Sequence, residues 1–328
     1  MTTRPVLRST AITDHVASAE DGNARTRASE KTNRYMAEDS ILTRRIAGDG
    51  VELAVTVDGV GEPVVFLHGF PENARSWRHQ MAAVVRAGFS AWAPDLRGYN
   101  TSGRPRERAA YHLKHLMADV AALVRATGFP RAHIVGHDWG GIIAWSVAGH
   151  YPELVDRLVI LNAPHLKLFT DKVWRSSQWL RSSYVGVFLL PQVPEWLLSA
   201  RDFALLRRVF HTASGRRMPF TGEDIDAYIA AFRTPGALTA ALNYYRANAF
   251  SDGTPLGAAA RVHCPTLVIW GDKDRALGHV LLEDLDTVAP DVHVHRLREV
   301  GHWVQNEAPE EVNRLIVSFL TPRGRGES

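Results

Sequence analysis

Gly136-His137-Asp138-Trp139-Gly140-Gly141 joins a short apolar run, Ala132 to Val135, to a longer apolar segment, Trp139 to His150. The first has the length and composition of a buried strand, and the second is long enough for a helix. Glycines on either side of Asp138 let a strand turn sharply into a helix and lift one side chain clear of the sheet. A serine at such a tip needs a base before it can attack. A carboxyl group does not, because with a reference pKa of about 3.9 it is ionised at neutral pH. Displacement at a saturated carbon, followed by hydrolysis of an ester on the protein, is the chemistry that follows. Asp also caps helices, but a cap does not require flanking glycines, so we read Asp138 as a nucleophile.

The rest of the 328-residue chain fits one large α/β domain with an insertion: 45% of residues are hydrophobic, 22% charged and 9% aromatic. Formal net charge is +3, the pI is near 9.1, and basic residues are interspersed with acids rather than gathered in a stripe. That argues against a nucleic-acid partner. The single Cys264 cannot form an internal disulfide, and no His/Cys cluster has metal-ligand spacing. The expectations are a cytoplasmic protein without metal or cofactor. No stretch reaches the roughly 18 apolar residues of a membrane span. Met1 to Ser40 has no apolar run, and its acids (Asp14, Glu20, Asp21, Glu30, Glu38 and Asp39) argue against an organelle transit peptide. We expect residues 1–40 to be a disordered extension, with Met36 an alternative start.

From Ile41 onward, short β-rich runs alternate with helical stretches. Ile41–Ala47 and Val51–Val57 form a hairpin around Gly48-Asp49-Gly50, and Val64–Leu67, Ala91–Pro94, Ala132–Val135, Arg157–Leu161, Thr266–Trp270 and Val292–Leu297 read as further strands. Ser76–Gly88, His112–Thr127, Trp139–His150 and Ala308–Leu320 read as helices. This alternation predicts a mostly parallel sheet covered on both faces, with catalytic groups beyond the carboxyl ends of its strands. Residues 165–255 contain no convincing strand and are rich in aromatic residues. They predict a helical lid inserted between two strands, leaving 41–164 and 256–322 as the core. The basic stretch Arg201 to Arg217 reads as a solvated face of a lid helix.

Five motifs, His68-Gly69-Phe70-Pro71-Glu72, Asp95-Leu96-Arg97-Gly98, Gly136 to Gly141, Gly271-Asp272-Lys273-Asp274 and Gly301-His302-Trp303, occur in the order and spacing of the epoxide hydrolases of the α/β-hydrolase superfamily. Over residues 41 to 321 the chain resembles that family. The resemblance implies the α/β-hydrolase fold and conversion of a small hydrophobic epoxide and water to a vicinal diol through an ester on Asp138.

The position of His302 after the last strand, and the order nucleophile, acid, histidine, mark it as the base. Asp272 and Asp274 compete for the acid, and spacing does not separate them; the resemblance favours Asp274. Backbone N–H groups of Phe70 and Trp139 are the expected oxyanion donors. Epoxide opening also needs a proton donor. The segments Tyr184-Val185-Gly186 and Asn243-Tyr244-Tyr245-Arg246 are similar to those that carry the family's lid tyrosines, which implies Tyr184 and Tyr245, with Tyr244 an alternative. Two rivals remain: a haloalkane or haloacid dehalogenase using the same Asp, and a ligand-binding relative without activity. Phe70 and the paired tyrosines argue against the first, and the complete catalytic set against the second. Oligomeric state, monomer or homodimer, is open.

Overall fold

The computed structural model describes residues 42–212, 214–215, 219–249 and 261–321. The expected N-terminal extension and Met36 lie outside them. Eight strands form one sheet: β1 (Leu42–Ala47), β2 (Glu52–Asp58), β3 (Pro63–Leu67), β4 (Ser90–Pro94), β5 (Ala132–His137), β6 (Val155–Leu161), β7 (Thr266–Gly271) and β8 (Val292–Leu297). Their spatial order is β1-β2-β4-β3-β5-β6-β7-β8. Only the β1–β2 and β2–β4 pairings are antiparallel.

Twelve α-helices are assigned among the described residues. Three precede β6: α1 (Arg78–Arg86), entered through a 3₁₀ turn at Ala74–Trp77, α2 (Leu113–Ala126) and α3 (Trp139–His150). Between β6 and β7 come α4 (Leu166–Val173), α5 (Gln178–Arg181), α6 (Tyr184–Phe188), α7 (Val193–Thr212), α8 (Gly222–Phe232) and α9 (Ala237–Asn248). The remainder are α10 (Leu285–Val288), α11 (Val304–Glu307) and α12 (Pro309–Leu320). Along the strands the apolar side chains alternate between two cores. Phe66, Val135, Val159 and Ile269 pack with Met81 and Val84 of α1 and Ile316 of α12. Leu67, Ile134, Ile160 and Val268 pack with Val120 and Leu123 of α2 and Ile143 of α3. Both faces are covered, as a parallel sheet requires.

The chain runs from β3 outward to β4, then returns to place β5 on the other side of β3. Such a reversal opens a crevice at the carboxyl ends of the two strands. The loops leaving β3 and β5 carry Phe70 and Asp138. Residues of two of the five motifs also hold this region together. His68 accepts the Leu96 N–H at Nε2 (3.0 Å) and contacts the Gly69 carbonyl through Nδ1 (3.0 Å), which ties the end of β3 to the end of β4. Arg97 makes two 2.8 Å bonds to Asp119 of α2 and a third to the Asp49 carbonyl, fastening the β1–β2 hairpin to the core.

One expected helix needs its bounds corrected, and one lid helix carries a kink. The helix expected over Ser76–Gly88 opens as a 3₁₀ turn, because Asn73 caps it by accepting the Arg75 N–H, and it stops at Arg86. Helix α7 is kinked rather than continuous: Arg201, Asp202 and Phe203 lie at φ of 50°, 54° and 59°, a left-handed turn that L-residues seldom adopt in succession. The Asp202 carboxylate, paired with Arg207 and Arg233, and the buried Phe203 hold the turn in place. Arg207 is therefore ion-paired rather than merely solvated, and Arg216 and Arg217 lie outside the described residues. Exposed large apolar side chains concentrate in the inserted helices, where Trp174 is 80% and Trp196 70% exposed.

Candidate active site

Asp138 occupies φ 51°, ψ −122°, a strained region for any residue with a Cβ. The surrounding packing imposes it. A Cβ at Gly140 would lie 2.0 Å from the Leu67 carbonyl oxygen, so only glycine lets α3 start this close to β3. The Asp138 side chain, 14% exposed, points its two oxygens at different partners. Oδ1 accepts the Phe70 N–H at 2.9 Å, and Oδ2 lies 3.8 Å from His302 Nε2. Trp139 is the first residue of α3, so its N–H has no partner within the helix and belongs to the helix's positive end.

His302 follows β8 and is buried. Its Nδ1 is 2.7 Å from Asp274 Oδ2. Burial disfavours a cationic imidazole, but the Asp274 charge and hydrogen bond outweigh it, and Asp138 and Glu72 add to them. The His302 pKa is raised to about 9. Burial likewise disfavours the Asp274 anion. The His302 charge and hydrogen bond, with donation from Asn162 and the Leu277 N–H, hold the pKa of Asp274 below its ordinary value. Asn162 Nδ2 donates to Asp274 Oδ2 at 2.7 Å and the Ala276 N–H to Oδ1 at 2.8 Å, so both carboxylate oxygens are held in place. Asp272, the competitor, pairs with Arg296 at 2.8 Å, away from His302.

The inserted helices bring both tyrosines to this site. The rings of Tyr184 and Tyr245 are 6.4 Å apart, and Tyr245 packs edge-on against Phe70 (6.0 Å) and Trp139 (5.1 Å). Burial first, and then the Asp138 charge, raise the Tyr184 pKa. Burial also dominates at Tyr245, with Tyr184 and Asp138 adding to it. Both phenols stay protonated at neutral pH. Tyr244 differs: its hydroxyl donates 2.8 Å to the Arg97 carbonyl, and the side chain is fully buried.

Sequence reasoning missed Asn162 and a polar cluster behind the histidine. Glu72, 1% exposed, accepts from Ser76 Oγ (2.5 Å), Asn306 Nδ2 (3.1 Å) and Gln305 Nε2 (3.1 Å). His137 Nδ1 lies 3.1 Å from Glu72, and its Nε2 lies 2.9 Å from the His302 carbonyl oxygen. The His137 ring thus bridges Glu72 to the backbone of the base. Glu72 stands in the first motif and Ser76 is only four residues on, but Gln305, Asn306 and His137 come from α11 and the elbow, and no local pattern announces those three. Among the described residues no group of His, Cys, Asp or Glu is arranged to hold a metal ion. A surface cleft of about 990 Å³, lined by Lys172, Arg175, Arg261 and Glu283 among others, shares no residue with this site.

The carboxylate thus sits on a strained turn at the strand ends, with a backbone donor on one oxygen and a histidine–aspartate pair facing the other. The family model described as α/β hydrolase fold matches residues 62–309. Among curated proteins, an AB hydrolase superfamily protein of Bacillus subtilis is 36% identical over 86% of this chain and 99% of its own length. Epoxide hydrolase 4 of Mus musculus is 37% identical over 86% of this chain and 79% of its own. Among solved structures, an epoxide hydrolase from Bacillus megaterium in complex with an inhibitor superposes with a TM-score of 0.78 at 31% identity, covering 84% of this chain and 99% of that one. The chain belongs to the epoxide hydrolase family of the α/β-hydrolases.

Proposed function

We propose that this protein hydrolyses a small hydrophobic epoxide to a vicinal diol by way of an ester on Asp138. The observation that carries the mechanism is the division of the Asp138 carboxylate, with one oxygen held by the Phe70 N–H and the other facing His302. The facing oxygen, Oδ2, attacks an epoxide carbon as the C–O bond breaks. The resulting alkoxide takes a proton from Tyr184 or Tyr245. The helices of residues 165–255 act as the lid that keeps bulk water from this step.

Ester formation removes the Asp138 charge, one of the influences that raise the His302 pKa. The proton that His302 then sheds replaces the one given up by the phenols. Neutral His302, oriented by Asp274, takes a proton from water as that water attacks the ester carbon. Negative charge on Oδ1 is met by the N–H groups of Phe70 and Trp139. Collapse breaks the bond between the Asp138 carbon and Oδ2, which leaves with the substrate and takes the proton of the newly added hydroxyl, releasing diol and restoring the carboxylate. The sum is epoxide plus water to diol.

A dehalogenase would need donors for a departing halide. Phe70, whose ring meets Phe188 and Phe232, supplies no side-chain donor there. No helix among the described residues is long and apolar enough to cross a membrane. We propose action in the cytoplasm, as a monomer or homodimer.

One turnover in heavy-oxygen water, with enzyme in excess, tests the ester. The diol is expected to be mostly unlabelled and the label to appear in Asp138. Label in the diol at the first turnover refutes attack by Asp138.

For the tyrosines, Tyr184→Phe and Tyr245→Phe are each expected to slow ester formation by roughly 10²-fold with little change in substrate binding. Tyr244→Phe should leave that rate intact and cost about 1 kcal/mol of stability through its lost bond to Arg97. Stopped-flow measurement of the alkylation phase reads the difference, and a normal rate in Tyr245→Phe rules that residue out as a donor.

A further inference from the structure

The loop that presents His302 is gripped by the inserted helices as well as by the core. Glu307, at the end of α11, folds its carboxylate back over the loop. Oε2 accepts the Gly301 N–H at 2.8 Å, and Oε1 accepts the Trp303 N–H at 3.2 Å, so both neighbours of His302 are bound to one side chain. The same Oε2 accepts a third N–H, that of Gly215, at 2.6 Å. Gly215 belongs to the insertion, between α7 and α8. It packs so closely that an added Cβ would lie 2.5 Å from the Glu299 carbonyl oxygen and 3.0 Å from the Gly301 nitrogen.

A second contact has the same two ends. The Trp303 ring stacks on Phe210 of α7 at 5.5 Å and meets Phe220 edge-on at 5.3 Å. Phe210 in turn stacks on Tyr228 of α8 at 5.2 Å. From the opposite side, a Cβ on Gly271 would fall 2.1 Å from the Gly301 carbonyl oxygen, so the loop has no room to retreat toward β7. The three residues around the base therefore lie between the core and the insertion, with Glu307 bonded to both.

We propose that Glu307 is a positioning residue for His302, coupling the seating of the lid at Gly215 to the hydrolytic half of the reaction. It touches neither substrate nor the reacting atoms. Two of its three accepted bonds fix the backbone on either side of the imidazole, and hence the position of Nε2, 3.8 Å from Asp138 Oδ2. Ester formation makes no such demand, because Asp138 and the tyrosines are held by other elements. A seated lid aligns the base, and a displaced lid leaves an ester whose hydrolysis is slow.

This inference rests on His302 acting as the base. Glu307→Gln keeps the shape of the side chain but substitutes an N–H₂ for one acceptor facing N–H donors. Gly215→Ala disturbs the same junction from the lid side, by pushing a methyl group toward Glu299 and Gly301. Rapid mixing with excess epoxide, with mass spectrometry of the Asp138 peptide, separates ester formation from ester hydrolysis in both variants. Hydrolysis is expected to slow by roughly 10-fold to 100-fold, the cost of a misplaced catalytic group, with ester formation within about two-fold of the unaltered protein.

A merely structural role would slow both halves in parallel or lower the melting temperature alone. Either result, or unchanged hydrolysis in both variants, overturns the proposal. His302→Gln measured alongside keeps two failures apart. No ester in that variant overturns the base role and the proposal with it. An ester there, with unchanged hydrolysis in Glu307→Gln and Gly215→Ala, overturns the positioning role alone.

Discussion

Asp138→Asn is expected to abolish diol formation, lowering turnover by roughly 10⁴-fold or more, as removal of a nucleophile does in enzymes of covalent mechanism. The amide is close in shape to the carboxylate and can still accept the Phe70 N–H, so folding should survive. It is far less nucleophilic and forms no ester. Thermal unfolding close to that of the unaltered protein, together with an absence of both burst and turnover, is the expected pair of results. An Asp138→Asn protein that turns over epoxide at a tenth of the normal rate would remove the carboxylate from the mechanism.

His302→Gln should fail later. Ester formation continues, hydrolysis stops, and a substrate-sized adduct accumulates on the peptide bearing Asp138, with turnover down by roughly 10³-fold. The same substitution has a signature in stability. The folded-state pKa of His302, about 9, lies above the ordinary value of 6.5. Its contribution is therefore fully present below about pH 6.5 and lost as pH rises through about 9. The melting-temperature gap between the unaltered protein and His302→Gln should narrow over that interval. A gap that widens with rising pH would contradict the ion pair with Asp274.

What the sequence revealed follows from how local each signal is. Strand β5, the turn at Asp138 and helix α3 are adjacent in the chain, and the expected and observed helix bounds, Trp139 to His150, coincide. The strands lie within two residues of expectation, because buried runs bounded by Gly and Pro carry their own ends. Their order does not show in this way: nothing local says that β4 lies between β2 and β3. The same divide runs through the site. His302 and Asp138 were readable from motifs, whereas Asn162 reaches Asp274 across 112 residues. Tyr244 and Tyr245 are consecutive on a helix and point about 100° apart, and only the packing of α9 says which hydroxyl goes to the Arg97 carbonyl. The left-handed turn at Arg201–Phe203 has no glycine or proline to betray it.

The hydrogen bond from Phe70 N–H to Asp138 Oδ1 bears on which foreign substrates the site can accept. In a serine esterase the oxyanion donors stand ready for the carbonyl oxygen of an incoming ester. Here one of them is already engaged by the nucleophile's own side chain, and it stays with that oxygen through both half-reactions. A carboxylic ester entering this pocket would have to compete with an ionised, charge-assisted partner for that donor. An ordinary ester therefore meets a donor that is already occupied. Exchanging Asp138 for serine would vacate the donor as well as change the attacking atom, so a single substitution moves both barriers that separate the two chemistries.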